Sequence, residues 1–407
     1  MKELHTEAAY WCTFDTGITQ WPQLTSSCST KALVVGGGMS GLLTAYMLHE
    51  RNIDFILVEA KEISEGSSLA STGLLQYCSD MMLHELRKHI GKQKADLFYV
   101  SCFNAVNQIG NIAKRIEAET GDVQLHTRSS LQLCSEPIDA LKLEKEYEAL
   151  SSLQLPCELW DQQRIARHFP FSKRSALITH QDAEINPHLF VIRLAQFLSK
   201  YNQAIFERSK MTGFDKLADG SYQVTINNEH RIHAEYIIHA VGYHYEQLQQ
   251  PQLNFFINRS YVLVTDPIDD LSFWHERMLI WETARPYLYM RTTKDSRIVI
   301  GGLDERSSIL NEKDALQKSK QLLLELNKLF PATETGIAYY WNAYFHEPKD
   351  GLPYVGSDQD DPKRIYLLGY GGNGMVYSML GANLIAQIIS GAMEQPELAS
   401  ILSVTRT

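Results

Sequence analysis

Apolar positions along this chain fall into short runs near both ends and into longer periodic stretches between them. Ala32-Leu33-Val34-Val35 is an apolar run closing on a β-branched pair, and Phe55-Ile56-Leu57-Val58 is another. Between them Leu42, Leu43, Ala45, Tyr46, Met47 and Leu48 recur at helical spacing, so strand, helix and strand are expected in that order. Over residues 80–120, Leu83, Leu86, Ile90, Phe98, Phe103, Val106, Ile109, Ile112 and Ile116 repeat at helical intervals until Gly121-Asp122. Residues 129–134 alternate as a strand does, 138–150 form a charged amphipathic helix, and 161–168 a shorter one. Pro187 opens a helix to residue 201. Strands are expected at 205–208 and 222–226, and 236–242 reads as a buried strand ending in a glycine turn.

From residue 257 the pattern is extended, with runs at 261–265, 278–281, 287–291 and 298–301 and no helix between them, which indicates an antiparallel sheet. A helix over 313–330 stops at Pro331. A strand at 365–368 then meets Gly369-Tyr370-Gly371-Gly372-Asn373-Gly374 and a helix to residue 389. Two strand–glycine–helix units at opposite ends, with an antiparallel sheet between, imply a discontinuous domain carrying an insertion.

The first unit holds the more informative chemistry. Gly36-Gly37-Gly38-Met39-Ser40-Gly41 joins strand to helix, and Glu59 closes the second strand, which is the dinucleotide fingerprint in its required context. Gly36 permits the tight turn, Gly38 lets a pyrophosphate approach the backbone, and Gly41 lets helix pack on strand. The helix N-terminus offers unpaired N–H groups and a positive dipole end. Glu59 accepts hydrogen bonds from ribose hydroxyls and repels a 2′-phosphate, which argues against NADP; the pattern alone does not separate FAD from NAD. The small and hydroxyl residues from Gly66 to Gly73 suit close approach to a ligand and equally suit a capped helix start.

Composition narrows the partners. The chain has 407 residues and a net charge of −10, which disfavours nucleic acid and anionic membranes. No apolar run approaches the roughly 20 residues of a membrane span, and no apolar segment in the first 30 residues resembles a signal peptide, so a cytoplasmic location is expected. The six cysteines lie at or before Cys157 without CxxC spacing, and the histidines form no HExxH motif, so no metal is expected. Tyr10, Trp11 and Trp21 make the N-terminal segment one that packs on the body.

Five stretches in this order resemble the D-amino-acid oxidase superfamily of FAD-dependent oxidoreductases: 36–59, 66–73, 236–242, 349–356 and 369–374. The likeness covers nearly the whole chain and is strongest to the γ-glutamylputrescine oxidoreductase-like and glycine oxidase-like subgroup. It implies an α/β fold, α+β overall: a Rossmann-like FAD-binding domain (1–85, 165–250 and 335–407) with an inserted antiparallel-sheet substrate domain (86–164 and 251–334). It also implies FAD with its adenine at Glu59 and its pyrophosphate at Gly38, Met39 and Ser40, with cofactor contacts also at Gly36, Gly41, Ala60 and Lys61. The flavin is expected near Thr72, Gly73, Leu74 and Leu75, with cofactor contacts also at Ser67 and Ser68. Further contacts are implied at Met211, Ala240, Gly242 and Gly351, and at the turn Gly371, Gly372, Asn373, Gly374 and Met375, whose N–H groups face the flavin edge that gains charge on reduction.

The chain departs from the family at three places. Phe345 stands four residues after Trp341, where members that bind an α-amino-acid carboxylate keep an arginine. Val299 matches the lysine that sarcosine oxidases set beside the flavin. No cysteine follows Cys157 and no histidine lies within 66–75, so the linking residues of covalent flavoproteins are missing and FAD is expected to be non-covalent.

For the active site, Tyr287, Tyr289 and Arg291 alternate on one expected strand and so share a face. Tyr287 matches a substrate-side tyrosine of the superfamily; a half-buried sheet tyrosine and a solvated arginine are the plainer readings. His346 is a candidate facing the flavin or an ordinary structural histidine, and Gln76 and Tyr77 are candidate pocket residues. The expected reaction is hydride transfer from an amine or N-substituted amino compound to flavin N5, with oxygen or another acceptor taking the electrons. The alternatives are a 2-hydroxy-acid dehydrogenase and a flavin-binding subunit without turnover.

Overall fold

The computed structural model describes residues 10–14, 20–244, 253, 255–307, 312–331 and 333–406, and Glu312 by its backbone only. Two sheets organise them. The first has the strand order Tyr354–Ser357, Arg364–Leu368, His230–His239, Cys28–Val35, Phe55–Val58, Ala204–Phe206. All of these pairings but the first are parallel, with Val35 opposite both His239 and Val58. The strands Met211–Lys216 and Tyr222–Ile226 form a hairpin that joins the first half of His230–His239.

Every residue of Phe55–Val58 is buried because this sheet is covered on both faces. Val34 and Leu57 meet the helices Met39–Glu50 and Gly374–Ser390 on one face. Leu33, Val35, Ile56 and Val58 meet Tyr222, Val224 and Ile226 of the hairpin on the other.

The second sheet has nine strands. Its order is Ile337–Pro348, Phe255–Thr265, Ile298–Glu305, Tyr289–Thr292, Leu279–Glu282, His126–Leu133, Ser175–Glu184, Leu74–Leu75, with Cys157–Asp161 also on Ser175–Glu184. Pairing is antiparallel except at one seam, where Leu279–Glu282 runs parallel to His126–Leu133. One face packs Tyr261, Leu263, Ile280, Met290 and Ile300 under the helix Glu312–Leu329. Residues alternating with these, Ser260, Val262, Trp281 and Tyr289, face the opposite way and wall a cleft against the first sheet.

The structure differs from the sequence pattern in several elements. The helical stretch 80–120 is two helices, Leu83–Ile90 and Lys92–Thr120, parted at Gly91 with φ +85°. The expected strand at 287–291 begins only at Tyr289. Ser175–Glu184, inside the second sheet, and Ile337–Pro348, at its edge, have no clean apolar alternation, because Asp182, Glu184, Asn342 and His346 are buried polar members of them. The helix Pro396–Leu402 was not indicated by periodicity. In the N-terminal segment Tyr10, Trp11 and Trp21 are buried, while positions 1–9 and 15–19 lie outside the described residues. Among the described residues no helix is long and apolar enough to cross a membrane.

Candidate active site

One continuous cleft begins where the parallel strands Cys28–Val35 and Phe55–Val58 end and runs beneath the second sheet. The space between its walls, open mouth included, is about 1890 Å³.

At the first end the walls are mostly backbone. Gly36 has φ +117°, and a Cβ there would strike the Ala240 carbonyl; a Cβ on Gly41 would run into the Gly36 carbonyl. These two glycines hold strand, turn and helix together, and Gly36 lines the cleft with Gly38, Met39 and Ser40. The Met39 amide donates to Ser68 Oγ at 2.8 Å, and Ser40 Oγ meets Ser378 Oγ at 2.8 Å, tying the first turns of the two long helices to each other. Glu59 lines the cleft and accepts from the Gly37 amide at 2.6 Å and the Lys61 amide at 2.8 Å. Burial raises its pKa, opposed by these backbone hydrogen bonds. Each carboxylate oxygen keeps a second lone pair for a ribose hydroxyl. Lys61, Ser67, Ala240 and Gly242 complete this end.

In the middle Thr72, Leu74 and Gln76 face Gly371, Gly372, Asn373, Gly374 and Met375 across the cleft. Asn373 does not cap its own helix; its amide group donates to the Gln76 carbonyl at 3.0 Å and bridges the two turns. Gln76 donates to Ser130 Oγ at 3.0 Å, and the Tyr77 amide donates to Asp182 at 3.0 Å. Tyr77 is buried behind the turn, its hydroxyl on the Pro156 carbonyl.

Arg291 is not part of the lining. It is a buried strut: Nε donates to the Thr72 carbonyl at 2.7 Å, Nη2 to the Ile185 carbonyl at 3.0 Å, and Glu184 lies 3.7 Å from Nη1. Its guanidinium also stacks over Trp11 at 5.1 Å. The His346 side chain is likewise outside the lining, buried among Tyr243, Phe255 and Tyr344, while its carbonyl accepts from the Gly371 amide at 3.1 Å. Both residues therefore act on turns that line the cleft. Gly41, Ala60, Gly73, Leu75, Met211 and Gly351 also stand outside the lining. Gly73, with φ +74°, is pressed against the Ile185 carbonyl, and Gly351, with φ +71°, turns the chain after Ile337–Pro348.

The far end is built from side chains. Trp281, Tyr287, Tyr289, Tyr344 and Phe345 supply aromatic wall, Ser260 a hydroxyl, and Asp80 and Asp304 carboxylates. The Tyr289 ring lies across Gly301, where any side chain would collide with it. Tyr287 Oη and Asp80 Oδ2 converge on Gly372, at 3.0 and 2.9 Å from the point a Cβ there would occupy. The Tyr287 hydroxyl is held well above its ordinary pKa by burial and then by Asp80 and Asp304, so it stays protonated. Asp304 is pushed up to about 6, chiefly by burial; the Ser260 hydroxyl opposes this, and Asp80 and Glu347 add to it. Val299 packs with Trp11, Ala70 and Trp341 in an apolar cluster, and the Trp341 indole donates to the Ala70 carbonyl at 3.1 Å.

Sequence reasoning did not find Asp80, Ser260, Trp281 or Asp304. Of these only Asp304 carried a signal, an acid two residues after the Gly301-Gly302 pair of an apolar strand. Cys78 also lines the cleft, but burial raises its thiol well above the usual value, which leaves it unreactive.

An extended dinucleotide fits this arrangement: a side-chain-free turn at a helix N-terminus, an acid at ribose distance along the strand, and a second helix N-terminus facing the middle. The family model described as DAO, FAD dependent oxidoreductase, matches residues 31–388. A Bacillus subtilis (strain 168) protein provisionally named a Rieske 2Fe-2S iron-sulfur protein is 24% identical over 391 residues, 93% of this chain and 72% of that one. Gamma-glutamylputrescine oxidoreductase of Escherichia coli (strain K12) is 24% identical over 404 residues, 96% of this chain and 90% of that one. Glycine oxidase from Geobacillus kaustophilus shares the fold, with a TM-score of 0.79 at 16% identity over 93% of this chain and 99% of that chain. With its cleft shaped for a dinucleotide and the family match spanning both glycine turns, this chain belongs to the DAO family of FAD-dependent oxidoreductases.

Proposed function

We propose that this oxidoreductase oxidises a C–N bond of an amine or N-substituted amino compound. The observation that carries the reading is the charge at the far end of the cleft. Among the described lining residues there, Asp80 and Asp304 are charged, none is arginine or lysine, and Phe345 presents an apolar ring. A substrate carboxylate entering this wall would be desolvated against like charge with no cationic partner, whereas an amine is welcome. The same wall argues against a 2-hydroxy acid.

Bound FAD supplies the electron sink: hydride leaves carbon with both C–H electrons while the nitrogen lone pair closes a C=N bond, and oxygen or another acceptor later takes the electrons. The residues named above orient the substrate and keep the site dry. Trp281, Tyr287, Tyr289 and Phe345 exclude water, and the protonated Tyr287 hydroxyl donates to a polar group of the substrate. The first turn of Gly374–Ser390 offers N–H groups to negative charge gained on reduction. Arg291 and His346 hold the Thr72 and Gly371 turns and are positioning residues in this account. We assign FAD binding to the lining residues from Gly36 to Met375 named above, without a covalent bond. Nucleotide contacts fall to 1–85, 165–250 and 335–407, and substrate contacts to 86–164 and 251–334 with Asp80 and Phe345 added.

Anaerobic titration of the yellow holoenzyme tests the reading. Amines should bleach the flavin and 2-hydroxy acids should not. Bleaching by 2-hydroxy acids alone would replace it with C–O oxidation, and bleaching by neither would leave a flavin-binding protein without turnover.

A further inference from the structure

The acidic wall creates a difficulty for a simple monoamine. Hydride departure needs a neutral nitrogen, and a carboxylate beside an ammonium favours its protonated form. Carboxylates next to the reacting nitrogen would therefore oppose the reaction, whereas carboxylates facing a second charge that never reacts would not.

The groups around the far end fit the second arrangement. Asp80 and Asp304 line the cleft. One Asp304 oxygen, Oδ1, is shielded from solvent and has no hydrogen-bond partner among the described residues. Glu347 stands behind the Gly371 turn and accepts from Asn258 at 2.6 Å; burial, then Asp80, raises its pKa. Two arginines are close enough to oppose these acids, but both are exposed and neither is in the lining. Arg285 lies over the Tyr287 ring at 4.7 Å and donates to the Asp80 carbonyl, and Arg306 lies over the Phe256 ring at 4.1 Å. Tyr287 and Tyr289, raised above their ordinary pKa chiefly by burial, stay neutral at the wall, which Tyr344 shares. The far end of the cleft thus turns carboxylates inward and keeps its two nearby arginines outside.

We infer that the substrate carries two amino groups, one oxidised at the flavin while the other stays an ammonium held by Asp304 and Asp80. This rests on the amine reading above and names its substrate class: a diamine or polyamine. A buried charge-assisted pair makes the second ammonium a determinant of affinity.

The test is anaerobic stopped-flow bleaching of the holoenzyme with a straight-chain diamine, its mono-N-acetyl derivative and the monoamine of equal length. The diamine should half-saturate about tenfold or more below the other two. In Asp304→Asn and Asp80→Asn, each checked for retained flavin absorbance and melting temperature, that preference should fall severalfold. Equal saturation by all three amines overturns the inference and leaves the amine reading standing. A preference that survives in both variants overturns it too, as does an equal rate loss for diamine and monoamine in Asp304→Asn, which would make Asp304 a base. If no amine bleaches the flavin, the amine reading fails and takes this inference with it.

Discussion

At the nucleotide end of the cleft, Gly36, Gly38, Ser40, Glu59 and Ser68 come from one contiguous stretch, and most of what they offer a ligand is backbone. At the substrate end, Asp80, Ser260, Trp281, Tyr287, Asp304 and Phe345 come from separated stretches, and all of what they offer is side chain. The first end therefore tolerates almost no added atom and specifies a ligand shared by a whole family. The second is supported on sheet strands whose surface residues can change without disturbing the turn, so substrate choice is free to vary there.

That contrast breaks most visibly at Gly41. Its helix sits so close to the Gly36 carbonyl that even a methyl group overlaps it. Gly41→Ala should cost on the order of 4–5 kcal/mol or abolish folding, read as loss of yellow soluble protein. A variant that keeps flavin and melting temperature would show that the turn is less tightly built than described.

A smaller effect comes from the polar support behind the flavin turn. Asp182 is fully buried and pushed up to about 6 by desolvation, opposed by hydrogen bonds from Ser130, Thr179 and the Tyr77 amide. Because its folded pKa is raised, folding favours the protonated acid. That contribution is complete below about pH 4 and is lost as pH rises through about 6, by at most about 3 kcal/mol. Melting temperatures of wild type and Asp182→Asn should therefore diverge across this window, with wild type losing more on going up. Parallel curves would mean that Asp182 does not titrate there.

The same contrast explains what was legible. The fingerprint, Glu59 and the Gly371–Met375 turn are local in sequence, and their burial pattern follows from parallel strands covered on both faces. Ser175–Glu184 and Ile337–Pro348 were not legible as strands, since their buried Asp182, Glu184 and His346 have partners only in the folded chain. Arg291 illustrates the limit of alternation. Strand period placed it on the face of Tyr289, but not beneath the Thr72 carbonyl, where it is a buried strut outside the cleft lining. Asp80 and Asp304 were missed because isolated acids in a sequence usually face solvent, and only the fold turns these two into the cleft.

The central claim is that the substrate is recognised without an arginine clamp for an α-carboxylate, with Phe345 on the wall where such an arginine would stand. Its direct measurement is the anaerobic flavin-bleaching rate of wild type and Phe345→Arg with glycine, sarcosine and D-alanine, set against longer amines that lack a carboxylate near nitrogen. Wild type should bleach slowly with the three amino acids and faster with the amines, and Phe345→Arg should narrow that gap. Wild-type bleaching by D-alanine or sarcosine as fast as by any longer amine would contradict the account.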